Sequence, residues 1–177
     1  YFEELQSISL LKNKEERSIK KGFDVIYYEV AKDGIWYSEV KSGAKTKSAK
    51  THNDSNTELL GRSHTDLKDK LSGDRESLWE TAQIDILLTV KRKKGKLKLQ
   101  ELLDRDAPCH KRKSKKNGIL VSVLYHCPNK EPIDTATIKK FHADVRKENI
   151  YQEEIVFSIQ KNTFDKIAKF LEKEITP

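Results

Sequence analysis

The residues of this chain with the clearest chemical potential are Asp24, near the start of one apolar segment, and the triplet Glu39-Val40-Lys41 in the next. Carboxylates are hard oxygen ligands. A hard divalent cation such as Mg²⁺ is often held by one or two of them together with waters and substrate phosphate. A lysine two residues on can hold or activate an attacking water and offset charge building on phosphorus. Metal, water and lysine are what phosphodiester hydrolysis needs. A Glu-x-Lys triplet alone is common in a chain with 35 Lys+Arg and 28 Asp+Glu, and its ordinary meaning is a solvent-facing ion pair. Here both segments are otherwise apolar, and charges inside an apolar strand need a reason.

The elements that must position these groups follow from patterning. Phe23–Val30 is rich in β-branched and aromatic residues and predicts a strand, Lys32-Asp33-Gly34 a hairpin turn, and Ile35–Lys41 the partner strand. Alternation puts Glu39 and Lys41 on one face and Val40 on the other, toward the core. The hairpin brings Asp24 and Glu39 to one edge of the sheet, with the register left open. Upstream, Phe2, Leu5, Ile8, Leu11 and Ile19 predict a helix over residues 1–20, closed by Gly22. Residues 42–56 carry no large apolar side chain and predict a polar loop. Leu60, Leu67 and Leu71 mark a helix ending near Gly73, and Asp74–Gln83 a further helix with Leu78, Trp79 and Ala82 inward. Ile84–Val90 and Ile119–Tyr125 are nearly continuous apolar runs and predict buried strands. Between them, 91–118 reads as a basic insert with one helical turn at Leu97–Leu103. Asp134 caps a helix carrying Ile138, Phe141 and Val145, Ile155–Ile159 is a last strand, and Asn162 caps a last helix. This order predicts a single α/β domain: a central mixed β-sheet of about five strands flanked by helices.

Asp24, fifteen positions before Glu39-Val40-Lys41 and on a hairpin after a helix, resembles the PD-(D/E)xK nuclease superfamily. The resemblance covers about residues 1–90 and implies a restriction-endonuclease-like core. Gly22-Phe23-Asp24 stands where the superfamily often has Pro-Asp; only the acid is strictly needed. The resemblance implies that Asp24 and Glu39 bind Mg²⁺, with Mn²⁺ as an alternative, helped by the Val40 carbonyl, while Lys41 positions the nucleophilic water. Many members add an acid from the first helix, and Glu4, on the helical face of Ile8 and Leu11, is preferred over Glu3 for that place. More narrowly, the Phe-x-Glu-Leu opening, Gly-Phe-Asp and the aromatic-Ser-Glu-Val-Lys strand are similar to the nuclease subunit of Hachiman-type bacterial antiphage systems. That likeness implies a DNA endonuclease or nickase that acts against foreign DNA beside a helicase partner.

The net charge of +7 on 177 residues suits a polyanionic partner. Three basic sets would neutralise DNA phosphates: Lys45, Lys47 and Lys50; Lys91, Arg92, Lys93 and Lys94; and Lys111, Arg112, Lys113, Lys115 and Lys116. Their bland alternative is a solvated surface. Trp36 and Tyr37 are read as sheet packing rather than base stacking. Cys109-His110 and His126-Cys127 lack the usual zinc spacings and are read as ordinary thiols and surface histidines. His64 reads as an inward, hydrogen-bonded histidine. His52 and Asp54, on the polar loop, could reach substrate, and Lys68 and Gln83 could approach the site from the helices that follow.

With two cysteines, a disulfide scaffold is excluded. No apolar stretch approaches the ~20 residues of a membrane helix and no signal peptide opens the chain, so a cytoplasmic protein without membrane association is expected. No P-loop, G-x-S-x-G or HExxH motif occurs. Because the chain starts at Tyr1 rather than Met, an N-terminal portion of the full protein is expected to precede it. Two rivals remain at this stage: a non-catalytic nucleic-acid-binding module of a larger complex, and a scaffold for an acidic protein.

Overall fold

The computed structural model describes residues 4–9, 22–45, 49–72, 76–91, 93–107, 115–126 and 131–162, with Lys166 and Lys173. The elements are β1 (Leu5–Ser7), β2 (Val25–Glu29), β3 (Gly34–Gly43), α1 (His52–Ser72), α2 (Glu76–Thr89), α3 (Lys93–Asp106), β4 (Asn117–Tyr125), α4 (Thr135–Glu148) and β5 (Glu154–Lys161). The five strands form one mixed sheet in the order β1-β2-β3-β4-β5. β1, β2 and β3 run antiparallel, whereas β3, β4 and β5 run parallel. The parallel half needs long crossovers, which α1–α3 and α4 supply.

The expected α/β fold is present, but its membership differs in three places. Leu5–Ser7 is a strand, not part of a helix, and pairs with β2 from Leu5↔Glu29 to Ser7↔Tyr27. Apolar residues three apart over so short a stretch do not separate helix from strand, and the open edge of β2 decides. Ile8 continues the pairing, its N–H donating to the Ile26 carbonyl (2.9 Å), while residues 1–3 and 10–20, and most of the helix expected after Asn162, lie outside the described residues. Ile84–Val90 is not a buried strand. It continues α2, whose inward positions Leu78, Trp79, Ala82 and Ile86 recur at helical spacing, while Ile84, Leu87 and Leu88 stay 49%, 46% and 63% exposed. The supposed basic insert contains a full helix, α3, which buries Leu99, Leu102 and Leu103 at i, i+3, i+4 spacing. The hairpin turn is also longer than a two-residue Asp-Gly turn. Glu29 pairs with Gly34, and it is Asp33 that takes the left-handed conformation, at φ 54°.

The two faces of the sheet differ. One carries the larger cluster, in which Ile26, Tyr37 and Leu120 of the strands meet Leu67, Trp79, Leu103 and Val145 of the four helices. The other carries, among the described residues, strand residues alone, with Trp36, Ile119 and Val121 at its centre and Val40, Val123, Phe157 and Ile159 around them.

Candidate active site at the open end of the β2–β3 hairpin

β2 starts at Val25, opposite Ser38, whereas β3 runs on to Gly43. Beyond Ser38, backbone groups on that side of β3 have no β2 residue opposite them. Asp24 supplies the substitute: its N–H donates to the Ser38 carbonyl (3.2 Å) and its Oδ2 accepts the Val40 N–H (2.7 Å). A backbone donor partly removed from water needs an acceptor, and a carboxylate is a strong one. Asp24 is thereby fixed beside the Glu39-Val40-Lys41 triplet. Of Val40, the structure shows its N–H at Asp24 and its side chain on the apolar face, as alternation predicts.

Glu39 is 1% exposed, on the same face as Tyr37. Its carboxylate accepts from Lys41 Nζ through Oε1 (2.8 Å) and from Lys70 Nζ through Oε2 (2.5 Å). Lys41 Nζ also meets Asp66 Oδ2 at 2.5 Å. Burial alone would lower the Lys41 pKa, but the bonds to Asp66 and Glu39 outweigh it and raise the ammonium above its ordinary 10.5. The outcome is a half-buried network in which Lys41 joins Glu39 to Asp66, Lys70 meets the second Glu39 oxygen, and Asp24 is tied to the Val40 N–H in the middle of the triplet.

α1 completes the site through a polar stripe beside its leucines. Asn56, Ser63 and Lys70 recur every seven residues, two helical turns, and all three face the sheet. Ser63 Oγ donates to the Glu39 carbonyl (2.7 Å) and accepts from the Val121 N–H (3.3 Å). Asn56 Oδ1 accepts from Ser122 Oγ (2.6 Å) and its Nδ2 donates to Ser158 Oγ (2.9 Å). Asp66 and Lys70 escaped the sequence reading, although the i, i+7, i+14 polar row could have found Lys70. In so charged a helix, their one-turn spacing looked like any surface ion pair.

Other expected contributors are not brought here. Glu4 precedes β1, whose Leu5 pairs with Glu29 at the turn end of β2, the opposite end from Asp24. It lines instead a cleft with Glu29, Trp36 and Arg146. Once residues 5–7 are a strand, the helical face that recommended Glu4 does not exist. Lys68 pairs with Glu148 (3.3 Å) and Gln83 Nε2 donates to the Gln100 carbonyl (3.3 Å), so neither approaches Glu39. His52 and Asp54 are in the first turn of α1, not in a loop, and the opposite end of a 21-residue helix from Lys70 is about 30 Å away. His64 does point inward, against the Tyr151 ring at 5.8 Å, and burial lowers its pKa, but the expected side-chain hydrogen bond is not formed: its buried Nε2 has no partner among the described residues and Nδ1 stands 3.8 Å from Glu148 Oε1. Trp36 and Tyr37 are core residues, with Tyr37 donating to Asp106 Oδ2 at 2.9 Å.

Of the basic sets, Lys50, Lys91, Lys93, Lys94 and Lys115 are exposed. Lys45 is exposed and its Nζ donates to the Lys50 carbonyl (2.9 Å). Lys116 is not part of that surface: it is half-buried, 5.8 Å over the Trp79 ring, and burial lowers its pKa against the opposing pull of Asp106. Lys47, Arg92, Lys111, Arg112 and Lys113 lie outside the described residues. Among the described residues no helix is long and apolar enough to cross a membrane.

Residues 4–175 match the model of the HamA family. No curated protein and no solved structure matches the chain.

Proposed function

The chain belongs to the HamA family, which ties it to Hachiman-type antiphage defence, and on that premise we propose that it is a metal-dependent DNA endonuclease or nickase whose site is Asp24, Glu39 and Lys41. The observation that carries this reading is the convergence of Asp24 and a buried Glu39 at the point where β2 ends and β3 continues. The donor set suits a hard cation. It offers carboxylate oxygens, from Asp24 at the Val40 N–H and from Glu39 one residue before it. Asp24 and Glu39 would hold Mg²⁺ or Mn²⁺. The ion, when bound, would supply charge stabilisation at the phosphoryl oxygens.

The chain's own residues divide the remaining work. Lys41 is kept protonated by Asp66 and Glu39, so it acts as a hydrogen-bond donor that orients water or phosphate rather than as a base. Lys70 holds Glu39 in place and neutralises it in the resting state. Ser63 anchors the Glu39 backbone to the helix and to β4. The exposed lysines provide sequence-independent attraction to the phosphodiester backbone that weakens with salt. A helicase partner within the defence complex is part of the same proposal.

The rival, a non-catalytic nucleic-acid-binding module, has one observation in its favour: both Glu39 oxygens are already engaged by lysines. A plasmid-nicking assay with Mg²⁺ and with EDTA separates the two. Nicking that requires Mg²⁺ and disappears in Glu39→Gln supports the nuclease; DNA binding without nicking under either condition supports the module.

A further inference from the structure

We propose that His52, His126 and Glu131 form a second metal site, for a Zn²⁺-class divalent ion, at the opposite end of α1 from the nuclease site. One ligand atom from each of the three residues lies within 4.8 Å of the others. The His52 and His126 rings stack with centroids 3.4 Å apart and planes 20° from parallel, and His52 Nδ1 faces Glu131 Oε2. The stack brings both rings to one place, and a turn of one ring about its side-chain bonds aims both in-plane lone pairs at a common ion, which would replace the direct His52–Glu131 contact. Two imidazoles and one carboxylate are a ligand set suited to zinc and its neighbours rather than to Mg²⁺, which prefers oxygen alone. Three protein ligands leave a fourth position for water or an external ligand.

The backbone under each ligand is fixed, which separates a site from a chance meeting of side chains. His52 follows Thr51, whose Oγ1 accepts the Asp54 N–H (3.1 Å) while Asp54 Oδ2 accepts the Thr51 N–H (2.8 Å), a reciprocal cap that sets the first turn of α1. His126 follows the last residue of β4, Tyr125. Around Glu131, Gln160 Nε2 donates to the Glu131 carbonyl (2.7 Å) and Gln160 Oε1 accepts the Ile133 N–H (3.0 Å). Asn53 Oδ1 accepts the N–H of Asp134 (2.9 Å), the residue that caps α4. A cation here would clamp the start of α1, the end of β4 and the approach to α4 at the carboxyl ends of the parallel strands, where ligands of such sheets collect. Glu131 is exposed, so the ion has a way in.

The sequence pointed away from this site because its ligands are not local: His52 and His126 are far apart, and His126-Cys127 lacks zinc spacing. The test uses the full chain, stripped with chelator and titrated with Co²⁺ followed by visible absorption, then challenged with Zn²⁺. The expected result is one equivalent of Co²⁺ with ligand-field bands, displaced by Zn²⁺. Affinity should fall about tenfold or more in His52→Ala and His126→Ala and measurably in Glu131→Gln. It should be unchanged in Asp24→Asn, so failure here is distinct from failure of the nuclease reading. Glu131→Gln alters an exposed side chain, so a loss of affinity in that variant is not a loss of fold. Absence of binding, binding that survives both histidine substitutions, or binding lost only in Asp24→Asn overturns the assignment.

Discussion

The β2–β3 hairpin has charged groups at both ends, and the two ends treat them differently. At the turn, Glu29 is 6% exposed, but a neutral donor satisfies it, Trp36 Nε1 at 2.8 Å, and Lys32 lies 3.5 Å away. Asp33 accepts from the Tyr28 hydroxyl at 2.6 Å and pairs with exposed Lys98 at 2.9 Å. Lys32 reaches out to Glu153 at 2.8 Å. These contacts hold a turn shut and nothing in them waits for a partner. At the open end, Glu39 is deeper, and each of its oxygens is met by an ammonium that water reaches only in part. A buried ion pair recovers little more than its desolvation cost, so it is poor evidence of stabilisation. On the proposed function a buried carboxylate held in this way is set for exchange, with a cation taking the place the lysines hold at rest.

The largest effect that separates the ends is on cleavage. Glu39→Gln should reduce Mg²⁺-dependent nicking to background, and Lys41→Met should lower it by on the order of 10²–10³-fold, whereas Glu29→Gln should leave it unchanged while costing about 1 kcal/mol in urea unfolding. The choice of glutamine matters. Glutamine still accepts from one of the two lysines through its Oε1, whereas Glu39→Ala would strand both, and breaking a buried pair costs about 3–5 kcal/mol, so a urea unfolding curve is recorded beside each activity measurement. Equal cleavage by the Glu29 and Glu39 variants would erase the distinction between the two ends.

Metal-dependent stability comes next in size. At 100 times its dissociation constant, Mg²⁺ bound only by the folded chain adds about 2.7 kcal/mol, or about 5–10 °C in melting temperature for a chain of this length. In Asp24→Asn the shift should nearly vanish. Asparagine can still accept the Val40 N–H, so the metal-free melting temperature should be at or above that of the unaltered chain. Identical Mg²⁺ shifts in the two proteins would remove Asp24 from the ligands. Lys70→Met should act the opposite way. It leaves Glu39 short of one counter-ion, lowers metal-free stability, and enlarges the Mg²⁺ shift above that of the unaltered chain. A smaller shift would mean that Lys70 supports the ion rather than standing in for it.

Much of the open end was legible in the sequence because it depends on local rules. Alternation put Glu39 and Lys41 on one face and Val40 on the other, and the turn signal paired the strands, as β3 shows, but the larger core meets the Glu39 face and not, as expected, the Val40 face. What escaped were contributions from outside the hairpin. Asp66 and Lys70 come from α1 by a crossover, and no local pattern says over which strand a helix will lie. Ile84–Val90 shows the other limit. A seven-residue apolar run fits a buried strand or a helix end, and only continuity with Trp79 and Ala82 decides for the helix. In α3, density of charge hid the Leu99, Leu102 and Leu103 stripe. Glu4 was misplaced because its role depended on a helix that β2 replaces with a strand pairing.

The smallest expected effect lies at the turn and appears only in acid. The Tyr28 hydroxyl, and after it Lys98, hold the Asp33 carboxylate below its ordinary 3.8. A carboxylate with a depressed folded pKa stabilises fully above the unfolded value and stops doing so as pH falls through the folded one. Asp33 therefore contributes in full at neutral pH, begins to lose that contribution as pH drops below about 4, and has lost it once pH passes below the lower folded value. Asp33→Asn is the suitable variant, because asparagine tolerates the left-handed conformation of this position (φ 54°) whereas most residues do not. Urea unfolding measured from pH 7 down to pH 2 should show a shallower acid loss in the variant, with nicking and the Mg²⁺ shift both unaltered at pH 7. A parallel acid profile would mean that Asp33 is no better held in the fold than in the unfolded chain. Altered nicking would mean that the turn is coupled to the open end through the strands, and the two ends would then be one site.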